Sequence, residues 1–332
     1  MIDLRGRSVL VAGGAGFVGS ALVRELIDDG ARVVVLDNFL HGTLENLREI
    51  RDRIEIVSGD VLDCWRLSET FRQFEIEYVF NCVGDTYVPA AYDVPRRFFE
   101  INVEGNLNLL TASKQFGVKR MLYVSSTEVY GEATTDKVSE ESLLAPLNTY
   151  AVSKTASDRL CFTFHKEHGT PVVIARIFNT YGPRETEPYV IPEIITQLDK
   201  GNVVELGNIK AERDFNYVHD TARWLIDLLR SDVPDGEAVN VGSGRVYSIE
   251  WLTHTIARIM GVKNVEIVQD PARIRRMDIE RFCCDNSRLK KYIDATPTVE
   301  IEEGLQRTVD WFRSHGRHWS WETFVDGTAV LR

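Results

Sequence analysis

Apolar runs of strand length alternate along the chain with longer stretches whose apolar residues recur at helical spacing. Ser8-Val9-Leu10-Val11-Ala12 is a continuous apolar strand, and Ser20 to Asp29 reads as an amphipathic helix. Arg32-Val33-Val34-Val35-Leu36 is a second strand, Arg53 to Val57 a third and Glu77 to Cys82 a fourth. Val94 to Phe116 is helical in pattern, and Arg120 to Ser125 is a fifth strand. Another helix begins after Asn148-Thr149 and runs to about His168; Val172 to Phe178 makes a sixth strand. Strands alternating with helices in this way predict an α/β fold with a parallel, doubly wound sheet of the Rossmann type.

The pattern changes at Asn179-Thr180-Tyr181-Gly182-Pro183-Arg184, where turn residues break the sixth strand. Short helices and strands come next, among them an alternating strand at Arg213 to Val218 and a helix at His219 to Leu229. The expected organisation is a first domain over 1–178, with the chain crossing back to it around 208–245. A smaller α/β lobe, mainly 179–332, would carry the substrate.

Composition narrows the function. A formal charge of −11 on 332 residues argues against nucleic acid or an anionic membrane as a general partner. No apolar run approaches the roughly 20 residues needed to span a bilayer, and Met1 to Val11 has no features of a secretion signal. Cys64, Cys82, Cys161, Cys283 and Cys284 have neither metal-ligand spacing nor a plausible disulfide set, and the seven histidines are scattered. These features predict a reduced, cytoplasmic, metal-free protein.

The first strand runs straight into Gly13-Gly14-Ala15-Gly16-Phe17-Val18-Gly19, with glycines at 13, 16 and 19. Absent side chains permit a tight turn and let backbone amides approach a pyrophosphate at a helix N-terminus. The second strand ends in Asp37, followed by Asn38, and Asp37 lies 18 residues beyond Gly19. A carboxylate there accepts both ribose hydroxyls of an adenosine and repels a 2′-phosphate, so the pattern favours NAD over NADP. Asp60, followed by Val61, either reaches the adenine edge or caps the next helix. Cys82-Val83-Gly84 are small residues past which a dinucleotide fits, and Asn102 lies on the following helix.

The reactive groups are predicted between Ser125 and Lys154. Ser125-Ser126-Thr127-Glu128 ends the fifth strand and delivers hydroxyls and a carboxylate to its C-terminal end, where open α/β sheets bind ligands. Tyr150 and Lys154 are four residues apart and share a helix face. An ammonium close to the phenol would favour phenolate and draw the pKa, ordinarily about 10, toward that of a working base. Arg273, Arg275, Arg276 and Arg281 form a basic cluster that is either a solvated face or a diphosphate site. Trp311, Phe312, Trp319 and Trp321 near the C-terminus are expected to pack in the core or against a subunit.

With these motifs the chain resembles the extended short-chain dehydrogenases/reductases that act on nucleotide sugars, over nearly its full length. The resemblance rests on Gly13 to Gly19, Ser125 to Gly131, Tyr150 to Lys154, Asn179 to Arg184 and Arg213 to Asp220. It extends to Asn240-Val241-Gly242-Ser243-Gly244 and Cys284-Asp285-Asn286-Ser287. The resemblance implies tightly held NAD and oxidation of a sugar at C4 to a transient ketone. It makes Tyr150 the base, Lys154 its partner and a nicotinamide-ribose ligand, and Ser126 part of the proton path. Gly13, Gly16, Phe17, Val18, Gly19, Asp37, Asn38, Asp60, Val61, Cys82, Val83, Gly84, Asn102, Ser125 and Ile177 would complete the NAD site. Asp85, Thr86, Asn179, Arg184, Val190, Leu206, Arg213, Tyr217 and Arg275 would hold a UDP-sugar, and a homodimer is implied by the same likeness.

The fate of the ketone separates the members of this family. A 4-keto group acidifies the C5 proton, and Glu128 is placed to remove it so that the C6 hydroxyl leaves. Simple 4-epimerases usually lack an acid there. The Ser126-Thr127-Glu128 triplet departs from the Thr-Asp-Glu of dTDP-glucose 4,6-dehydratases, since Thr127 stands where an Asp would protonate the leaving hydroxyl. Gly207 to Val218, Val190-Ile191-Pro192 and Arg273 to Asn286 look most like bacterial UDP-N-acetylglucosamine 4,6-dehydratases. A 4,6-dehydratase is therefore the expected function. A 4-epimerase and a UDP-glucuronate decarboxylase are the enzyme alternatives, and a non-catalytic NAD-binding protein is a remote one.

Overall fold

The apolar runs pair into one seven-stranded parallel sheet. β1 (Ser8–Ala12) lies inside it, with β2 (Arg32–Asp37) and β3 (Glu55–Ser58) outward on one side. On the other side come β4 (Tyr78–Asn81), β5 (Arg120–Ser126), β6 (Val172–Ile177) and an edge strand, Ala238–Val241. The strand order reverses between β1 and β4, which opens a crevice at the strands' C-terminal ends. The computed structural model describes residues 1–133, 135–274 and 279–316.

Both faces of the sheet are covered, which is why its strands are apolar at successive positions. Val9 and Val11 enter one core with Leu22, Leu26, Trp224 and Leu228, while Leu10 and Ala12 enter another with Leu67, Phe71, Leu109 and Cys161. The first core is built by the Phe17–Asp28 and Val218–Arg230 helices, so a helix from the second half of the chain closes a face of the first. A third core joins the Val190–Leu198, Ile249–Met260 and Ile301–His315 helices through Ile191, Ile194, Leu252, Ile256, Leu305 and Val309. The doubly wound sheet and smaller α/β lobe predicted from the pattern are both present.

Several elements differ from the predicted ones. The first helix starts at Phe17, three residues before Ser20, with Gly16 as its N-cap. The stretch from Val94 to Phe116 is not one regular helix. It divides into Pro95–Phe99, a π-helical turn at Glu100–Glu104 and Gly105–Gln115. The cause lies at Asn102, whose backbone carbonyl accepts the Ser157 hydroxyl at 2.6 Å and whose side chain is committed to Asp85 and Ser153. The third strand begins at Glu55, because Arg53 ends a 3-10 helix over Leu44–Arg53.

The predicted strand from Arg213 to Val218 is split by Asp214. Glu212–Arg213 pairs with Tyr247–Ser248 and Arg281–Phe282, whereas Phe215–Tyr217 pairs with Asn179–Tyr181. Asp214 turns its fully buried carboxylate to the Ser243, Gly244 and Cys284 amides and the Ser243 hydroxyl. This single side chain ties together the Arg213, Asn240–Gly244 and Cys284–Ser287 motifs. Phe312 is buried, and Trp311 stacks on His315 at 5.0 Å; Trp319 and Trp321 lie outside the described residues. Among the described residues no helix is long and apolar enough to cross a membrane, and all five cysteines are free thiols.

Candidate active site

A cavity of about 430 Å³ runs along the C-terminal edge of the sheet and under the smaller lobe. Its floor begins at the glycine turn, where Gly13, Gly16, Phe17, Val18 and Gly19 all line it. Glycine is required here by close approach: a Cβ on Gly19 would fall 2.1 Å from the Gly13 carbonyl oxygen, and Gly13 itself has a φ of +76°. The first amides of the Phe17–Asp28 helix therefore face the cavity uncapped by any side chain, a site for an anion.

Asp37 stands at the end of β2, 7% exposed, with its two oxygens accepting from the Ala15 and Phe39 amides at 2.9 and 2.8 Å. Burial raises its pKa, and the two amide bonds oppose that rise. Asn38 donates to Asp60 at 2.9 Å, and Asp60 also accepts the Leu62 amide. The helix cap proposed for Asp60 belongs to Asp63, which accepts from the Arg66 amide at the start of Cys64–Gln73. Val61 is buried in the core beside them. Cys82, Gly84 and Ile177 line the cavity, and burial pushes the Cys82 thiol up to about 12, so it stays protonated.

The predicted reactive cluster draws on β5, the 3-10 turn Thr127–Tyr130 and the Thr149–His168 helix. Ser126, Thr127, Glu128 and Tyr150 all line the cavity. Ser126 caps the turn by accepting the Glu128 amide at 3.2 Å, and its hydroxyl acts to lower the pKa of the Tyr150 phenol. Gly131 ends the turn at a φ of +68°, where a Cβ would lie 1.9 Å from the Ala145 carbonyl oxygen. That contact fixes the approach to the next helix. Asn148 performs two tasks there: its oxygen accepts the Ala151 amide as the helix N-cap, and its nitrogen donates to Glu128 at 2.9 Å.

Lys154 does not sit on the phenol as the four-residue spacing suggested. Its Nζ donates to the Val124 carbonyl at 2.7 Å and lies over the Tyr123 ring. Burial brings its pKa down to about 8. Burial raises the Tyr150 phenol, the Ser126 hydroxyl opposes that, and the Glu128 charge adds to it. In the chain alone the phenol is therefore held protonated. The working-base state needs added positive charge.

Other predicted residues stand behind the cavity wall. Ser125 donates to Asp158 at 3.0 Å, and Asp158 forms a bidentate pair with Arg176 at 2.8 and 2.9 Å. Asn102 braces the Asp85 backbone at 2.8 and 3.1 Å, with Val83 just ahead of it on the same connection. The Asp85 carboxylate, predicted to face a sugar, is 2% exposed and lies 2.9 Å from His41 and 2.7 Å from Arg97. His41 also meets Glu187 at 2.8 Å. Burial opposes the His41 charge, but the bonds to Asp85 and Glu187 override it and raise its pKa to about 9.

Thr86, on the connection after β4, lines the cavity with Asn179, Val190, Leu206, Arg213 and Arg273 from the smaller lobe. Arg213 is steadied by the Glu212 and Glu280 carbonyls at 2.9 and 3.3 Å. Arg184, in a left-handed backbone conformation, points elsewhere and pairs with Glu49 at 2.7 Å. Tyr217 is buried against Tyr181, and Arg275 lies outside the described residues. Sequence reasoning missed Asn148, His41, Glu185, Glu187 and Tyr189, all of which line the cavity. Asn148 carried a readable signal, an Asn just before a helical run; the others carried none.

With this geometry in hand, known proteins are informative. A sequence model of the GDP-mannose 4,6 dehydratase family matches residues 10–308. The dTDP-glucose 4,6-dehydratase of Escherichia coli is 28% identical, with 96% of this chain and 97% of that enzyme aligned. The UDP-N-acetyl-alpha-D-glucosaminuronate decarboxylase of Bacillus cytotoxicus is 31% identical over 92% of this chain and 97% of its own. Among solved structures, DesIV, the dTDP-glucose 4,6-dehydratase of Streptomyces venezuelae with NAD and TYD bound, superposes with a TM-score of 0.87 at 29% identity. It covers 94% of this chain and 98% of DesIV. The glycine turn, the Ser-Thr-Glu turn and the Tyr150/Lys154 helix thus sit in a frame shared along the whole sheet, and the chain belongs to the GDP-mannose 4,6 dehydratase family of extended short-chain dehydrogenases/reductases.

Proposed function

We propose that this chain is an NAD-dependent nucleotide-sugar 4,6-dehydratase acting on a UDP-hexose, with UDP-N-acetylglucosamine the first candidate. The observation that carries the reading is the cavity shared by Tyr150, Ser126 and Glu128, with Asn148 on the carboxylate. A base for C4 and a base for C5 are what water elimination across C5–C6 requires. An epimerase needs the first alone.

The residues present fit NAD. The uncapped helix N-terminus suits a pyrophosphate, and a buried carboxylate at Asp37 suits ribose hydroxyls and disfavours a 2′-phosphate. Gly13, Gly16, Phe17, Val18 and Gly19 would hold the pyrophosphate. Asp37, Asn38, Asp60 and Val61 would hold the adenosine, and Cys82, Val83, Gly84, Ile177 and Lys154 the nicotinamide end. When bound, NAD would supply the acceptor for the C4 hydride, the same hydride for return to C6 once water has left, and a positive charge.

Tyr150 takes the C4 hydroxyl proton, with Ser126 orienting the phenol. Lys154, largely an ammonium at neutral pH with its pKa near 8, keeps positive charge beneath the site. Glu128 then removes the C5 proton, made acidic by the C4 ketone. Thr127 brings a hydroxyl, not an acid, so Glu128 is the group available to return that proton to the departing C6 oxygen. Arg213 and Arg273, both lining the cavity, supply charge for a diphosphate.

The test is to incubate the purified protein in deuterated water with UDP-N-acetylglucosamine, dTDP-glucose, GDP-mannose or UDP-glucuronate. Mass spectrometry and proton NMR track the products. Loss of one water with deuterium at C5 and a new methyl signal is expected. Unchanged mass with inverted C4, or loss of carbon dioxide from UDP-glucuronate, would replace the dehydratase by an epimerase or a decarboxylase.

A further inference from the structure

The loop between the Asn179–Tyr181 strand and the Val190–Leu198 helix carries two acids, Glu185 and Glu187, both buried and both lining the cavity. Their surroundings differ. Glu187 meets the His41 ring at 2.8 Å. Glu185 is 5% exposed, and its Oε2 is enclosed without a hydrogen-bond partner among the described residues. A buried polar atom left in that way is costly, and a ligand that supplies the missing partner recovers the cost.

Burial, and then the neighbouring Glu187 charge, hold the Glu185 carboxyl well above the usual carboxylate range. Whenever it holds its proton it offers an O–H donor beside a carbonyl acceptor. On the same loop Tyr189 also lines the cavity and donates to Thr86 at 2.8 Å. Through His41, Glu187 is tied to Asp85 and Arg97, and Phe98 beside Arg97 packs edge-on against the Tyr150 ring, so this loop belongs to the Tyr150 end of the cavity, where a sugar and not its nucleotide would lie.

We propose that Glu185 selects the sugar: it hydrogen-bonds a neutral polar substituent of the hexose, a hydroxyl or an acetamido group, and with Glu187 it excludes hexoses bearing a carboxylate. This deepens the nucleotide-sugar reading of the same cavity and rests on it. A uronate carboxylate placed there would face Glu187, and the charge of His41 is already shared by Asp85 and Glu187.

The experiment is isothermal titration of the full-length, NAD-loaded protein with UDP-N-acetylglucosamine, UDP-glucose, dTDP-glucose, GDP-mannose and UDP-glucuronate, each compared with its bare nucleotide. At least one neutral sugar should bind about 10-fold tighter than its nucleotide, and UDP-glucuronate should gain nothing over UDP. Glu185→Ala should lose that gain while keeping nucleotide affinity, and Glu185→Gln, neutral and of the same shape, should stay within about 3-fold of the unaltered chain. If Glu185→Ala loses nucleotide affinity as well, Glu187→Gln decides: UDP-glucuronate should then bind about 10-fold tighter. The proposal is overturned by a gain that survives Glu185→Ala, by UDP-glucuronate binding as tightly as the neutral sugars, or by no gain for any sugar. Turnover in deuterated water separates the two claims. Water loss unaffected by Glu185→Ala would remove the selector and leave the dehydratase, whereas Glu185-dependent binding without water loss would do the reverse.

Discussion

Glu128 and Tyr150 divide the proposed reaction between two side chains, so their removal should have different signatures. Tyr150→Phe should stop even the first oxidation. Glu128→Gln should leave sugar binding within a few-fold and abolish elimination, so that C5 takes up no deuterium. Wild-type turnover by Glu128→Gln would sink the mechanism. Asn148 serves both the helix N-cap and the Glu128 carboxylate, and substitution can part the two tasks. Asn148→Ser retains a capping oxygen but loses the amide donor; thermal stability should hardly move while kcat falls about 10-fold. Asn148→Ala removes the cap too and should cost about 1 kcal/mol in urea unfolding.

Elements meet at buried polar joints, and these decide how firmly the site is framed. The Thr149–His168 helix is fastened to β5 and β6 by Asp158, which is fully buried and accepts from Ser125 and from Nε and Nη2 of Arg176. Arg176 continues to Tyr130, whose hydroxyl donates to Asn240 at 2.7 Å. Asp158→Asn would leave Arg176 as an uncompensated buried cation, and about 3–5 kcal/mol should be lost in urea unfolding. An Asp158→Leu/Arg176→Met pair, which removes both charges, should lose clearly less than the single change. On the opposite side of the same helix, Asn102 trades helical regularity for bonds to Asp85 and Ser153. The π-helical turn is the visible result.

The whole molecule is held across its cavity by His41, Asp85, Arg97 and Glu187, drawn from the loop after β2, the β4 connection, a short helix and the smaller lobe. This cluster makes stability depend on pH. The His41 pKa is raised from an ordinary 6.5 to about 9 in the folded chain. Protonated His41 thus stabilises the fold in full below about 6.5, and that contribution is lost as pH rises through about 9. The melting temperature should fall over this interval in the unaltered chain more than in His41→Gln. The gap between the two should close by about pH 9.5. Parallel curves would show that the cluster is not coupled to folding.

What the sequence by itself determined is what local pattern can encode. Alternating apolar strands and helices specify the doubly wound sheet, because both faces of each strand must be covered. The glycine spacing specifies a turn that no side chain could enter. The Ser126–Glu128 turn and Tyr150 fall on element ends that any such sheet brings to its carboxyl edge, so their placement at the cavity came from the order of elements. Only the tertiary structure decided where freely rotating side chains go. Lys154 turned to the Val124 carbonyl because burial rewards a bond over a bare ammonium, Ser125 was taken by Asp158, and Asp85 was drawn from the sugar side by His41 and Arg97. Glu185 and Glu187 carried no mark in the chain, since their distinction arises from a histidine about 145 residues away in sequence and beside one of them in space.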